Sequence, residues 1–197
     1  MHSAPTEEDT ITPDIEALDD DALAAQAGQN PEAFTVLYTR HLDDIYRYIL
    51  SHVRLVADAQ DITTQTFMGA LKGIAHYEGR GAFKAWLVGI AKRKLIDHYR
   101  REKLTFPLDE LEIIANNSPP IEELVEHKLR LETVIENLRL LNEDRAEAIR
   151  LRIFSGLSSA EAGEIMGKSA DAINMLVYRG LNDLRKQFNP TGKEMQS

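Results

Sequence analysis

The sequence predicts an all-α protein: two small helical domains joined by a flexible linker, the second containing a helix-turn-helix. Three observations carry this. Phe83, Trp86, Leu87, Ile90, Ala91, Leu95 and Ile96 recur at helical spacing, as do the apolar residues of three runs between Leu141 and Phe188. Pro107, Asn116, Asn117, Ser118, Pro119 and Pro120 break the pattern between these regions. Glycine and serine punctuation at Ser155-Gly156 and Gly167-Lys168-Ser169 then cuts the last third into short helices. At 197 residues the chain has room for two such domains, each with a modest core.

Residues 1–29 hold eight acids (Glu7, Glu8, Asp9, Asp14, Glu16, Asp19, Asp20, Asp21) and no Lys or Arg, leaving −1 of the total −9 for residues 30–197. This composition reads as a largely disordered acidic arm in which Ile15 to Ala27 can form a short helix. Such an arm would either shield a basic surface or serve as a solubilising tail. Residues 30–102 form the first helical domain. Its end is basic: Lys84, Lys92, Arg93, Lys94, Arg100, Arg101 and Lys103 stand against Asp97 and Glu102, a local +5. A cationic stripe on an acidic chain is a candidate phosphate footprint, with a solvated basic face as the plainer alternative.

Residues 103–120 read as the linker and 189–197 as a loose tail, leaving 121–188 as the second domain. Within it, Gly156 is placed to end one helix in a left-handed cap. Ser158 or Ser159, with Glu161 as a capping-box partner, starts the next. Gly167 ends that short helix, and Ser169 caps a last helix from Ala170 to about Lys186. A short helix, a tight turn and a longer helix make a helix-turn-helix whose second helix would enter a DNA major groove.

Other classes fit poorly. The six histidines (His2, His41, His52, His76, His98, His127) lack metal-ligand spacing, and neither a glycine-rich phosphate loop nor a nucleophile motif is present. The expectation is therefore no enzyme, no cofactor and no metal. The chain has no cysteine, no apolar run of about 18 residues and an acidic N-terminus, so a cytoplasmic protein with no membrane partner is expected.

Taken together, residues 31–188 resemble the extracytoplasmic-function (ECF) class of bacterial sigma factors. Asp58-Ala59-Gln60-Asp61 and Gln65-Thr66-Phe67 are similar to the family's helix that docks on the beta-prime coiled coil of RNA polymerase. Tyr77-Glu78-Gly79-Arg80-Gly81-Ala82-Phe83-Lys84-Ala85-Trp86-Leu87, Ile90-Ala91 and Asp97-His98-Tyr99-Arg100-Arg101 resemble the segment that melts and reads the −10 element. Leu141 onward resembles the helix-turn-helix that reads the −35 element. The resemblance implies a factor that directs core polymerase, through its beta-prime coiled coil and beta flap, to specific promoters. It makes residues 30–102 the sigma region 2 domain and 121–188 the sigma region 4 domain.

The docking segment departs from the family pattern, which carries Glu where this chain has Gln60 and Gln65, and Gln where it has Thr64. Two expected negative charges are absent, each of which could cost about 1.5–3 kcal/mol of charge-assisted contact. Thr63 and Thr64 sit in the gap, and a phosphothreonine carries about −1.5 to −2 of charge. The expectation is activation by a Ser/Thr protein kinase, with Thr63 the first acceptor and Thr64 the second. Docking is assigned to Asp58, Gln60, Asp61, Thr63, Thr64 and Gln65. Control by an anti-sigma factor without phosphorylation is the alternative, as is a plain helix-turn-helix DNA-binding regulator.

By the same resemblance the −10 contacts are His76, Tyr77, Arg80, Lys84, Lys92, Arg93, His98, Arg100 and Arg101, while Trp86 is assigned to packing. Flipped bases need aromatic or apolar pockets, which His76 and Tyr77 are placed to border. The −35 contacts are Lys168, Ser169, Asn174 and Arg179, with Asn174 suited to bidentate adenine readout. Four acids balance four bases between Ser158 and Phe188, so non-specific phosphate attraction should be weak.

Overall fold

The computed structural model describes residues 15–79, 82–105 and 133–188, all helices, turns and loops without a strand. The disordered stretch expected before residue 15, Arg80, most of the linker (106–120), residues 121–132 and the tail 189–197 lie outside the described residues.

Helix α1 (Asp20–Ala27) starts where Asp19 accepts a hydrogen bond from Ala22 N at 2.8 Å. It buries Leu23, Ala24 and Ala27 against α2 (Pro31–Leu50). Residues 15–27 are thus not part of a separate arm: their apolar positions complete the core of the first helical body, and their acids face its rim. Asn30 caps α2 and Pro31 opens it, a position where a missing N–H costs nothing. Its buried residues Ala33, Leu37, His41, Ile45, Tyr48 and Ile49 form one stripe. Helices α3 (Val56–Gly73) and α4 (Phe83–Thr105) pack on α2 and on each other through Ala59, Ile62, Phe67 and Ala70 on one side and Phe83, Leu87, Val88, Ala91 and Leu95 on the other.

The second body begins with helical residues 133–139. Helix α5 (Glu143–Ile149), capped by Asn142, runs on as a π-helical turn over Arg150–Phe154. Gly156 follows at φ 67°, the left-handed geometry expected there. Helix α6 (Ser159–Met166) opens with a full capping box between Ser158 and Glu161 and closes on Gly167 at φ 65°. Helix α7 (Ala170–Phe188) begins at Ser169, whose Oγ accepts from Ala172 N at 3.2 Å. Gly163 permits the tight turn: a Cβ there would lie 2.5 Å from the Lys168 carbonyl oxygen.

The two bodies do not keep separate cores. Leu138, Ile149, Phe154 and Leu184 form a small cluster inside the second. Ala148, Leu151, Leu157, Ala162 and Ile173 instead join the core of the first. The π-helical turn packs on α2 and helix α6 on α4.

Candidate nucleic-acid and polymerase interface

Helix α3 divides cleanly into two faces. Ala59, Ile62, Thr63, Thr66, Phe67 and Ala70 point into the core, while Gln60, Asp61, Thr64, Met68 and Leu71 point outward. The spacing of the outward set makes a continuous stripe. Met68 and Leu71 are large exposed apolar residues at one end, and Leu55 is another just before the helix. Gln65 Nε2 donates to Asp61 Oδ2 at 2.6 Å, so the amide that stands where the family has a carboxylate restrains the carboxylate that remains.

This division corrects the ranking of the threonines. Thr63 is only 5 % exposed, and its hydroxyl donates to the Ala59 carbonyl at 2.7 Å. It follows Ala59 by four residues and precedes Phe67 by four, so the core periodicity claims it. A phosphate on Thr63 would have to enter the core. Thr64 is exposed and donates to the Gln60 carbonyl at 2.9 Å. Asp58, half-buried, turns toward α4, where His98 Nε2 lies 3.9 Å from Asp58 Oδ2 and 3.6 Å from Glu102 Oε1. Among the described residues these three alone approach metal-ligand spacing. Both carboxylates already lie against one imidazole, and Glu102 is exposed, so the cluster reads as a polar side-chain network linking α3 and α4.

The cations of α4 do not share one stripe. Lys84 Nζ meets Asp44 Oδ2 at 2.5 Å, and Lys92 Nζ lies 3.7 Å from Glu147 Oε1 across the gap to α5. His98 faces α3. Arg93 and Arg100, seven residues apart, are exposed on a common side, with Asp97 3.6 Å from Arg100. Arg101 is exposed too. His76 is exposed at the start of the loop, while Tyr77 is half-buried, its ring centroid 5.4 Å from Phe83 and 5.2 Å from Trp86. Trp86 packs as expected, and Tyr77 is held by the same aromatic group.

Glu147 is the hub between the bodies. Its carboxylate accepts from the Tyr48 hydroxyl at 3.1 Å and lies 3.4 Å from His52 Nε2 and 4.0 Å from Arg150 Nη1. The buried Arg150 donates from Nε to the Ser51 carbonyl at 3.1 Å, and Arg139 donates to the Val53 carbonyl at 3.1 Å. Tyr99 grips the same loop, donating to the His52 carbonyl at 2.6 Å. Burial, followed by the positive charges of Arg150 and Lys92, pushes His52 well below the ordinary imidazole range. Burial alone is the largest cause of the raised Tyr48 phenol, with Glu147 adding to it.

In the helix-turn-helix, Lys168 Nζ pairs with Asp144 Oδ2 at 3.2 Å, and Ser169 spends its hydroxyl on the cap of α7. Asn174 Oδ1 accepts from the Ser159 hydroxyl at 2.5 Å, so one edge of the amide is committed to α6. Arg179 is exposed. The outward face of α7 also carries Met175 and Tyr178, the latter 65 % exposed. Tyr178 is absent from the residues assigned by sequence, though its place three after Met175 and four after Asn174 marked the same face. The Tyr48–Glu147 and Arg150–Ser51 links carried no local signal, because each spans 99 residues of sequence.

Comparison with known proteins agrees with this geometry. Residues 37–105 match Sigma-70 region 2, and residues 131–184 match Sigma-70, region 4. The chain is 37 % identical over 168 residues to the ECF RNA polymerase sigma factor BldN of Streptomyces coelicolor, covering 82 % of this chain. It spans 62 % of that relative's length. It is 30 % identical over 170 residues to the RNA polymerase sigma factor CnrH of Cupriavidus metallidurans, covering 81 % of this chain and 89 % of CnrH. The solved structure of CnrH in complex with the cytosolic domain of CnrY superposes with a TM-score of 0.68 at 25 % identity, covering 88 % of this chain and 99 % of that one. With both regions matched in order and CnrH covered over most of its length, the chain belongs to the extracytoplasmic-function class of the sigma-70 family.

Proposed function

We propose that this chain is an RNA polymerase sigma factor that docks on core polymerase through the outward face of α3 and directs it to promoters. The observation that carries the reading is that face itself. Gln60, Asp61 and Thr64 form a polar centre flanked by exposed Leu55, Met68 and Leu71, a mixture suited to a protein partner. Residues 30–102 act as the polymerase-docking and −10 domain, with Arg93, Arg100 and Arg101 the outward cations. Residues 121–188 act as the −35 domain, α7 presenting Asn174, Tyr178 and Arg179. The beta-prime coiled coil and the beta flap are the polymerase surfaces this arrangement suits. The chain itself carries out no catalysis.

Docking is under the control of a Ser/Thr kinase that modifies Thr64. The hydroxyl stands at the middle of the stripe, one turn from Gln60, where the family has a carboxylate. A phosphate there adds about −1.5 to −2 of charge at a face short of two carboxylates. The test is binding of core polymerase to the unmodified chain and to the chain stoichiometrically phosphorylated at Thr64, at one salt concentration. Tight binding only with phosphate supports the switch. Equally tight binding of both forms leaves a sigma factor without it, and no binding of either defeats the sigma reading. Thr64→Ala should abolish the response to kinase, whereas Thr63→Val, which keeps the buried shape, should preserve it.

Anti-sigma control is the second reading, favoured by one observation. The cleft between the bodies, lined by His52, Lys92, Tyr99, Glu147, Arg150 and Met166, is open to solvent and joins both DNA-facing halves. An inhibitor seated there would hold the closed arrangement.

A further inference from the structure

We propose that Asp21, on the acidic first helix, is a positioning residue for the promoter-melting loop, holding it through Tyr77. The inference rests on the sigma-factor reading above. The Tyr77 hydroxyl donates to Asp21 Oδ1 at 2.8 Å, across 56 residues of sequence. Its backbone N–H donates to the Ile74 carbonyl at 3.0 Å, and its ring stands edge-on to Phe83, interplanar angle 89°. Tyr77 is the first residue after the short helix Ile74–His76, so it fixes where the loop to α4 departs. That loop turns at Gly79, φ 65°, and re-enters the fold at Phe83, the residue Tyr77 packs against. Both ends of the loop therefore meet at one aromatic group, and Asp21 sets the orientation of its outermost ring. A loop whose two ends are fixed has less conformational entropy to lose when it captures an unstacked base.

The seat of α1 does not depend on Asp21. Its neighbour Asp20 holds α2, through Arg40 Nη1 at 2.6 Å and His41 Nε2 at 2.7 Å, and Leu23, Ala24 and Ala27 are buried. Asp21 is itself exposed, so its removal loosens the loop and leaves the helix in place. Burial, followed by the Asp21 contact, raises the Tyr77 phenol, so it remains a donor throughout the physiological range.

The experiment uses the full chain with core polymerase and a promoter fragment selected by the wild-type holoenzyme from a library randomised at −10 and −35. Strand opening is read by permanganate reactivity of −10 thymines, alongside holoenzyme assembly and thermal midpoint. Asp21→Ala and Tyr77→Phe should each lower opening about two- to tenfold, the range for one net hydrogen bond, and the double variant should be no worse than either. Asp21→Asn, which keeps an acceptor, should recover part of the loss. Assembly should stay at the wild-type value, and the thermal midpoint should fall by no more than the few degrees that one hydrogen bond is worth. Wild-type opening in both single variants, or additive losses in the double, overturns the positioning role. If the wild-type holoenzyme selects no promoter, the sigma-factor reading fails instead, and the two failures are distinct.

Discussion

Replacing Glu147 with alanine is the sharpest test of how the two bodies hold together. Its side chain is 13 % exposed and serves three groups, the Tyr48 hydroxyl at 3.1 Å, Lys92 at 3.7 Å and Arg150 at 4.0 Å, with the neutral His52 ring 3.4 Å away. The Coulomb gain of these contacts is offset by desolvation, but removing one member of a buried network leaves the others uncompensated. Arg150 keeps its bond to the Ser51 carbonyl, and Lys92 can turn to water, which tempers the loss. The net cost to the closed arrangement is about 2–3 kcal/mol, a shift of about 30- to 150-fold toward separated bodies. Because the chain has no cysteine, single cysteines at Glu32 and Lys186, both exposed, accept a dye pair specifically. Energy transfer between them should fall in Glu147→Ala and hold in Glu143→Ala, which removes an exposed acid from the same helix. Unchanged transfer and unchanged thermal midpoint in Glu147→Ala would refute the claim that this network holds the bodies together.

Three further outcomes are expected. Gly163→Ala should destabilise the second body by about 3 kcal/mol or more, measured by denaturant titration, because its Cβ would strike the Lys168 carbonyl at 2.5 Å and backbone cannot step aside cheaply. Ser158→Ala should cost about 1 kcal/mol in the same assay by breaking the capping box with Glu161. Acidification should also destabilise the fold. His52 is held neutral, its folded pKa lying below the ordinary 6.5, so the unfolded chain binds more protons as pH drops below that value. The contribution is fully present above about pH 6.5 and is lost as pH falls through the window beneath it. His41, lowered chiefly by burial against the opposing pull of Asp20, acts in the same direction. Thermal midpoints at pH 7.5 and 5.5 should differ less in His52→Gln than in the wild type.

What the sequence made legible follows from the range of each signal. Ser158 with Glu161, Gly167 and Ser169 mark helix ends through contacts within a few residues, and all three sit where the spacing placed them. The direction of each α4 cation was not legible. Basic residues at 84, 92, 93, 94, 100 and 101 fall all round a helix, so only packing decides that Lys84 meets Asp44, Lys92 meets Glu147 and Arg93 faces outward. Thr63 could have been placed: Ala59, Thr63, Thr66, Phe67 and Ala70 are one core-facing set at helical spacing. The shared core was beyond reach, because nothing local to residues 143–154 says that Ala148 and Leu151 would join the core of the first body rather than pack with Leu184.

The closed arrangement treats the two proposed surfaces unequally, which imposes an order on their use. The outward face of α3 is free of other described helices, since α2 and α4 cover only its inner side. Lys84 and Lys92, by contrast, are engaged by Asp44 and Glu147. The Gly156 turn lies over the first pair: a Cβ at Gly156 would sit 3.4 Å from Lys84 Nζ and 3.5 Å from Asp44 Oδ2. If α3 docks as proposed, polymerase can bind the closed chain first, while promoter contact through Lys92 and through Lys84 beneath the Gly156 turn must wait for the bodies to part. Docking through α3 alone cannot drive that parting, because the face is as exposed in the closed arrangement as it would be in an open one; only polymerase or promoter contacts that favour the parted bodies can. The free chain should then bind single-stranded −10 DNA poorly. Glu147→Ala should raise that binding by up to the same 30- to 150-fold or so, while leaving affinity for an isolated beta-prime coiled-coil fragment unchanged. A parallel gain for the fragment would mean that the latch also covers α3, contrary to the exposed stripe from Gln60 to Leu71.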